Sequence, residues 1–341
     1  MARPAAEGSE RVGHYYYQTE SCNPWYNLAV ETYLGTRIQK NDVILYLWQN
    51  DKTVVIGKNQ NALLECRAKL LEEEGGFLAR RTTGGGAVYQ DLGNLCFTFL
   101  ADPEVYDLER QMKVVTDAIK TYGLCTEFSG RNDLLAENGC KFSGNAFSNT
   151  GGCRVHHGTL MVNVNLQNME RYLTPSPQKL RAKGVSSVRS RVCNLRDILP
   201  GLTVEGLKGT LIESFCKEYG SAQKLKDQEF PLSEINRTKE WYAAWEWRYG
   251  KSPECGIRCT RRFAWGGADL WMKGSGLRIQ EIKMFSDCLD TGLPQAFERL
   301  ATGKRLDMGD VTEEDILCAG SSGQQRERIR EVVSWLSSAE N

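Results

Sequence analysis

The sequence has no net charge: 43 lysines and arginines balance 43 aspartates and glutamates over 341 residues. A neutral chain lacks the global electrostatic footprint that draws proteins to nucleic acid or to an anionic membrane, so any anion site has to be local. Apolar runs of the roughly 18 residues that span a bilayer are also missing. The opening MARPAAEGSE has neither the apolar region of a signal peptide nor an Arg-rich amphipathic pattern, and a cytoplasmic protein without nucleic-acid or membrane partners is expected. Histidine is scarce, at His14, His156 and His157 alone, and none of the 12 cysteines forms a C-x-x-C pair. That argues against a zinc site of the usual Cys/His spacing, and without a signal peptide it argues against a disulfide framework. Most cysteines are expected to behave as small buried apolar residues. Internal repeats and low-complexity tracts are absent.

A chain of this length exceeds what one core usually serves, so a large domain over residues 1–248 and a small one over 249–341 are expected. NPWYNLAVETYLG reads as a helix with Asn23 as cap, Pro24 in the first turn, and a stripe of Trp25, Leu28, Ala29, Thr32 and Tyr33. DVILYLWQN and KTVVIG read as buried strands joined by a turn at Asn50 and Asp51, and ALLECRAKLLEEEG, Ala62 to Gly75, as one helix. YDLERQMKVVTDAIKTYG is amphipathic and closed by Gly123, and HHGTLMVNVNL alternates like a half-buried strand. Strands and helices mingle without regular β-α-β alternation, which predicts an α+β fold with mixed or antiparallel sheets. The basic, Ser-rich TPSPQKLRAKGVSSVRSRV reads as a long loop, and WEWRYGKSP as the domain boundary, followed by a strand meander and terminal helices.

Chemistry concentrates in two places. In RRTTGGGAVYQDLGN three successive glycines let backbone amides approach an anion, while Arg81 and the threonines add charge and hydroxyls. The glycines precede a strand, so neither a Walker A loop nor a dinucleotide fingerprint fits, and a plain turn with surface arginines is the competing reading. Arg80 and Arg81 alternate on an extended chain, so one of them at most faces the site. In SGRNDLLAENGCKFSGNAFS, Lys141 lies between a turn and a small-residue run that would hold its ammonium at a cleft, and a solvated surface lysine is the alternative. Asn132 and Asp133 suit a hydroxyl, a metal or a simple turn. His156 and His157 adjoin on a strand, so only one faces a given ligand.

The segments NPWYNLAVE, TVVIGKNQN, RRTTGGGAVYQDLGN, SGRNDL, CKFSGNAF, HHGTLMVN and AKGVSSVRSRVCNL, with WEWRYG and FAWGGADL, resemble in order and spacing the bacterial lipoate-protein ligases. The resemblance implies a catalytic domain related to biotin ligases plus a small α+β C-terminal domain. It implies activation of lipoate by ATP and Mg²⁺ to lipoyl-AMP. Transfer to a lysine of lipoyl domains in 2-oxoacid dehydrogenase complexes and of glycine cleavage H protein would follow, by a monomer whose C-terminal domain swings after activation. Residue by residue it makes Lys141 catalytic, in contact with lipoyl carbonyl and phosphate. Arg81, Gly86, Ala87, Val88, Tyr89, Asn132, Asp133, Lys183, Gly184 and Val185 become nucleotide contacts, with Asp133 near Mg²⁺. Thr83, Gly84, Gly85, His157 and Gly158 become lipoate contacts, beside an apolar slot lined by Leu28 to Tyr33 and TVVIG. Gln90 stands where many members carry histidine, which puts general-base work there in doubt. Two rivals remain: a transferase using a pre-activated or carrier-bound acyl donor, and a non-catalytic lipoate or adenylate sensor.

Overall fold

A computed structural model of the chain describes residues 13–129, 132–150, 152–174, 192–249, 257–275 and 278–338. The basic segment 175–191, with Lys183, Gly184 and Val185, and the boundary residues 250–256 lie outside the described residues.

Val43–Trp48 shows how the sequence builds the layers. All six residues are buried, and their side chains alternate between two cores. Val43, Leu45 and Leu47 join one core with the helices Leu108–Lys120 and Val204–Tyr219, while Ile44, Tyr46 and Trp48 join another with Pro24–Gly35 and Leu232–Ala243. The strand therefore lies inside a sheet covered on both faces. That sheet has eight strands in the spatial order Gln223–Lys224, His14–Gln18, Val43–Trp48, Asn94–Ala101, Cys153–Met161, Lys141–Thr150, Asp133–Ala136 and Thr126–Ser129. His14–Gln18 runs parallel to both neighbours and the remaining pairs are antiparallel. A second sheet places Thr53–Ile56 between Phe77–Arg80 and Val88–Gln90. The fold is α+β with mixed sheets, as expected.

Two local expectations change. The segment Ala62 to Gly75 is broken into Ala62–Glu65 and Ala68–Glu73, because Cys66 bridges to Leu173 and the Arg67 amide donates to the Tyr172 carbonyl. The helix Pro24–Gly35 does use Asn23 as cap, its side chain accepting from the Tyr26 amide at 3.0 Å. Its buried side, however, runs through Asn27, Leu28, Ala29, Val30, Glu31 and Leu34, with Thr32 exposed. An apolar stripe could not reveal this, since two of the buried residues are polar.

Beyond residue 256, an antiparallel meander of Ile257–Phe263, Gly266–Ser275 and Arg278–Phe285 packs on Leu293–Ala301, Glu313–Ala319 and Gly323–Ser337. Leu270, Phe297, Ile329 and Val332 give it a core of its own. This unit touches the glycine-rich stretch, where the Gly85 amide donates to the Cys288 carbonyl at 3.2 Å, and the turn after Thr53–Ile56, where the Ser286 amide donates to the Asn59 carbonyl at 2.7 Å.

Candidate active site

The glycine-rich loop connects Phe77–Arg80 to Val88–Gln90, and the two arginines before it point apart, as alternation requires. Arg80 donates to the carbonyls of Gly57, Lys58 and Gln60 on one side and of Trp247 and Arg248 on the other, tying the end of the first unit to the small sheet. Arg81 aims at its own loop: it donates to the carbonyls of Gly84 (2.7 Å), Gly86 (2.8 Å) and Val55 (3.2 Å) and to the Thr83 hydroxyl (3.0 Å). Burial pushes both guanidinium groups down to about 10, which leaves them cationic at neutral pH. Gly85 has φ of 92°, a backbone that suits glycine, and a Cβ there would lie 2.9 Å from the Arg81 guanidinium. Gly84 and Gly85 are buried under the C-terminal unit, while Gly86, Ala87 and Val88 remain half-buried at the loop edge. Tyr89 turns inward and stacks obliquely on Tyr172. Gln90 accepts from the Asn50 amide at 2.7 Å and is a structural link.

Thr83 starts a buried polar chain. Its hydroxyl lies 2.8 Å from His157 Nε2, and His157 Nδ1 lies 2.9 Å from Glu31 Oε2, which also accepts from the Thr98 hydroxyl at 2.6 Å. As a carboxylate Glu31 only accepts, so His157 Nδ1–H donates to it. Burial alone would raise the Glu31 carboxyl. The charge and hydrogen bond of His157, the Thr98 hydroxyl and Arg81 outweigh it and hold Glu31 below its ordinary value. The order carboxylate, imidazole, hydroxyl is that of a hydrolase triad. Thr83 is fully buried and bound by Arg81, so it is not placed as a nucleophile.

Lys141 opens the strand Lys141–Thr150, and its Nζ lies 2.6 Å from Asp133 Oδ1 on the adjoining strand. A Cβ at Gly144 would fall 2.9 Å from that Nζ, so the small-residue run gives the lysine room to lie along the sheet. Asn132 is held in turn: its side chain donates to the Asn145 carbonyl at 2.8 Å, and Asn145 donates back to the Asn132 carbonyl. Asn145 Oδ1 lies 3.0 Å from His156 Nε2, and His156 Nδ1 lies 2.9 Å from the Gln111 amide. As an acceptor, Asn145 Oδ1 requires His156 to carry its proton on Nε2. Nδ1 must then accept, which turning the Gln111 amide provides while pairing the otherwise orphaned Gln111 Nε2. Gly158 packs against Phe97 and Asn145 with no room for a Cβ.

Burial pushes His156 down to about 3, so it is neutral in the folded protein. Between pH 6.5 and about 3 the unfolded chain binds a proton that the folded chain refuses, so this contribution is complete above 6.5 and is lost as pH falls. The slope approaches ~1.4 kcal/mol per pH unit. His156→Gln should flatten the fall in unfolding free energy between pH 6.5 and 5, measured by urea titration. An unchanged slope would contradict the neutral buried imidazole.

The two constellations meet. A Cβ on Gly85 would stand 4.0 Å from the Ala146 Cβ, and Ala146 pairs with His157 across the sheet. The structure thus gathers Arg81, Thr83, Gly84, Gly85 and His157 at one crossing, with Lys141 further along the strand of Ala146 and Asp133 and Asn132 at the start of the strand beside it. Leu28 and Ala29 share a core with Val55, where the apolar slot was expected. Glu31, Gln111 and Asn145 escaped sequence reasoning. The signal for Glu31 was a carboxylate four residues after Asn27 on a face that also holds Leu28.

The fold is that of the lipoate ligase class. Residues 23–216, more than half of the chain, match the family described as lipoyl protein ligase A/B catalytic domain, and residues 252–318 match the bacterial lipoate protein ligase C-terminus. The chain belongs to the lipoyl protein ligase A/B catalytic domain family. It is similar to Plasmodium falciparum LipL1, solved in complex with lipoate, at 29% identity, TM-score 0.79, covering 95% of this chain and 99% of that one. A bipartite lipoate protein ligase from Thermoplasma acidophilum, studied with its E2 lipoyl domain, matches at 25% identity, TM-score 0.62, over 72% of this chain and 100% of that one. A lipoate-protein ligase A bound with ATP shares the fold at 24% identity, TM-score 0.59, over 70% of this chain and 98% of that one.

Proposed function

We propose that the protein is an ATP-dependent lipoate-protein ligase. The observation that carries this reading is the placement of a buried, arginine-braced glycine loop across strands that also present Lys141, in a family whose solved member LipL1 holds lipoate. In the first step the lipoate carboxylate attacks the α-phosphorus of ATP, forming lipoyl-AMP and expelling pyrophosphate. Two anions must meet, so fixed cations and orientation supply most of the acceleration. Lys141 shares its charge between carboxylate and phosphate, while Asp133 fixes where its ammonium points and Asn132 braces the adjoining strand through Asn145. Arg81 acts through the loop, holding Thr83 to Gly86 in one conformation, with Gly86, Ala87 and Val88 at the nucleotide side and Thr83, His157 and the loop backbone at the acyl side. In the second step the amine of an acceptor lysine attacks the acyl carbonyl and AMP leaves. The acceptors on this reading are lipoyl domains of 2-oxoacid dehydrogenase complexes and glycine cleavage H protein.

Among the described residues no cluster of three or more His, Cys, Asp or Glu side chains is poised to hold a metal. A Mg²⁺ fits only as an ion arriving on the nucleotide phosphates, with Asp133 as the carboxylate that would hold it and charge neutralisation as its chemistry. Lipoate-dependent exchange of pyrophosphate into ATP tests the activation step. No exchange in the presence of lipoate, alongside lipoylation from a carrier-bound acyl donor, would replace this reading with that of a transferase.

The C-terminal unit covers Gly84 and Gly85, and we infer that this docking serves activation more than transfer. A Cβ at Gly84 would fall 2.3 Å from the Cys288 carbonyl oxygen and 2.8 Å from Leu289 Cα, backbone atoms that cannot turn aside. Gly84→Ala should therefore lower lipoate activation about 10- to 100-fold while sparing transfer from preformed lipoyl-AMP. Equal losses in both half-reactions would contradict the docking role.

A further inference from the structure

Cys140 and Cys193 are 53 positions apart in sequence. The fold brings them together beside Lys141. Val192 forms a parallel bridge with Lys141, and the Cys193 amide donates to the Lys141 carbonyl at 3.0 Å. Cys140 immediately precedes that lysine, and its side chain is a close neighbour of the Cys193 thiol. Both are free and half-buried, so a small molecule can reach them, whereas Cys66, Cys96, Cys153 and Cys288 are buried. Cys193 also leans on the main core, against the group that contains Phe142.

We propose that Cys140 and Cys193 form a reversible disulfide, a modification site that ties the residue before Lys141 to the chain entering at Val192. The oxidant is a small soluble disulfide of the glutathione type. Burial and the neighbouring thiol push Cys193 up to about 12, so it stays protonated at neutral pH and the first attack falls to Cys140. The Cys140 thiolate attacks one sulfur of the oxidant, forming a mixed disulfide and releasing one glutathione thiolate. Cys193, giving up its proton, attacks the Cys140 sulfur and displaces the second. Two protein thiols lose two electrons, the oxidant gains two, and both thiol protons end on the released glutathiones.

Closing this bond draws two backbones together at the residue next to the lysine. The strand start that carries Lys141 then loses the position set by Asp133, and displacements of that order cost about 10- to 100-fold in rate. The effect on rate rests on the ligase reading. The covalent link does not, and it is measured separately.

The test uses the full chain, incubated with glutathione disulfide and then with dithiothreitol. Peptide mass mapping should find the Cys140 and Cys193 peptides joined after oxidation and separate after reduction. Lipoate activation should fall about 10- to 100-fold and recover on reduction. Cys140→Ser and Cys193→Ser should each keep basal activity and resist the oxidant. The proposal is overturned if the joined peptide does not form while Cys125 or Cys318 is glutathionylated, if it forms without loss of rate, or if the serine variants are inhibited equally. Should the reduced protein show no lipoate activation at all, the ligase reading fails, and the peptide map alone decides the cysteine pair.

Discussion

Replacing Lys141 by alanine is expected to lower both half-reactions by at least about 10²- to 10³-fold, the usual cost of deleting one preorganised charge stabiliser. The lysine is the cation that meets two anionic partners in the first step and polarises the anhydride in the second, so neither step escapes its loss. The fold should survive. Lys141 and Asp133 are each about one-fifth exposed in their side chains (19% and 17%), so Asp133 left alone keeps some access to water and the loss of stability should stay within about 1–3 kcal/mol. Rates of pyrophosphate exchange and of transfer from preformed lipoyl-AMP, read beside a urea unfolding curve, separate the two effects. Near-normal lipoylation by a folded Lys141→Ala protein would remove Lys141 from the mechanism.

The second large effect belongs to stability. Glu31 is the terminus toward which the hydrogen bonds of Thr98 and His157 run, and the chain continues through Thr83 to Arg81 and the glycine loop. Glu31→Leu removes the acceptor and leaves a buried imidazole and a buried hydroxyl without it. Breaking a buried ionic or charge-assisted pair on one side costs about 3–5 kcal/mol, and that much should vanish from the unfolding free energy. Glu31→Gln keeps an oxygen acceptor at the same place and should lose roughly half as much. Denaturant titration of both variants checks this, and a Leu variant within about 1 kcal/mol of wild type would show that the chain does not brace the loop.

The class of fold could be read in the sequence because apolar alternation and helical caps are local. Asn23, Thr203 and Asp107 cap the helices they precede, and period-two alternation in Val43–Trp48 sorts its side chains onto two cores. What stayed hidden depends on long-range partners. Glu31 drew no reading from the sequence, because only the folded chain reveals His157, 126 positions away, as its partner. Gln111 on the helix Leu108–Lys120 likewise gains meaning only from His156. The break at Cys66 follows from its bridge to Leu173, which no local propensity encodes. The glycine run pointed to an anion loop, but not to the unit that covers Gly84 and Gly85, since the carbonyl of Cys288 arrives from another part of the chain.

The most direct measurement of the central claim is the intact mass of an apo lipoyl domain incubated with this protein, lipoate and Mg-ATP, with pyrophosphate followed in the same tube. The account predicts one lipoyl adduct on one lysine, one pyrophosphate released for each adduct, and neither product when lipoate or ATP is left out. A lipoyl domain of unchanged mass beside folded protein, or an adduct formed without ATP, would contradict it.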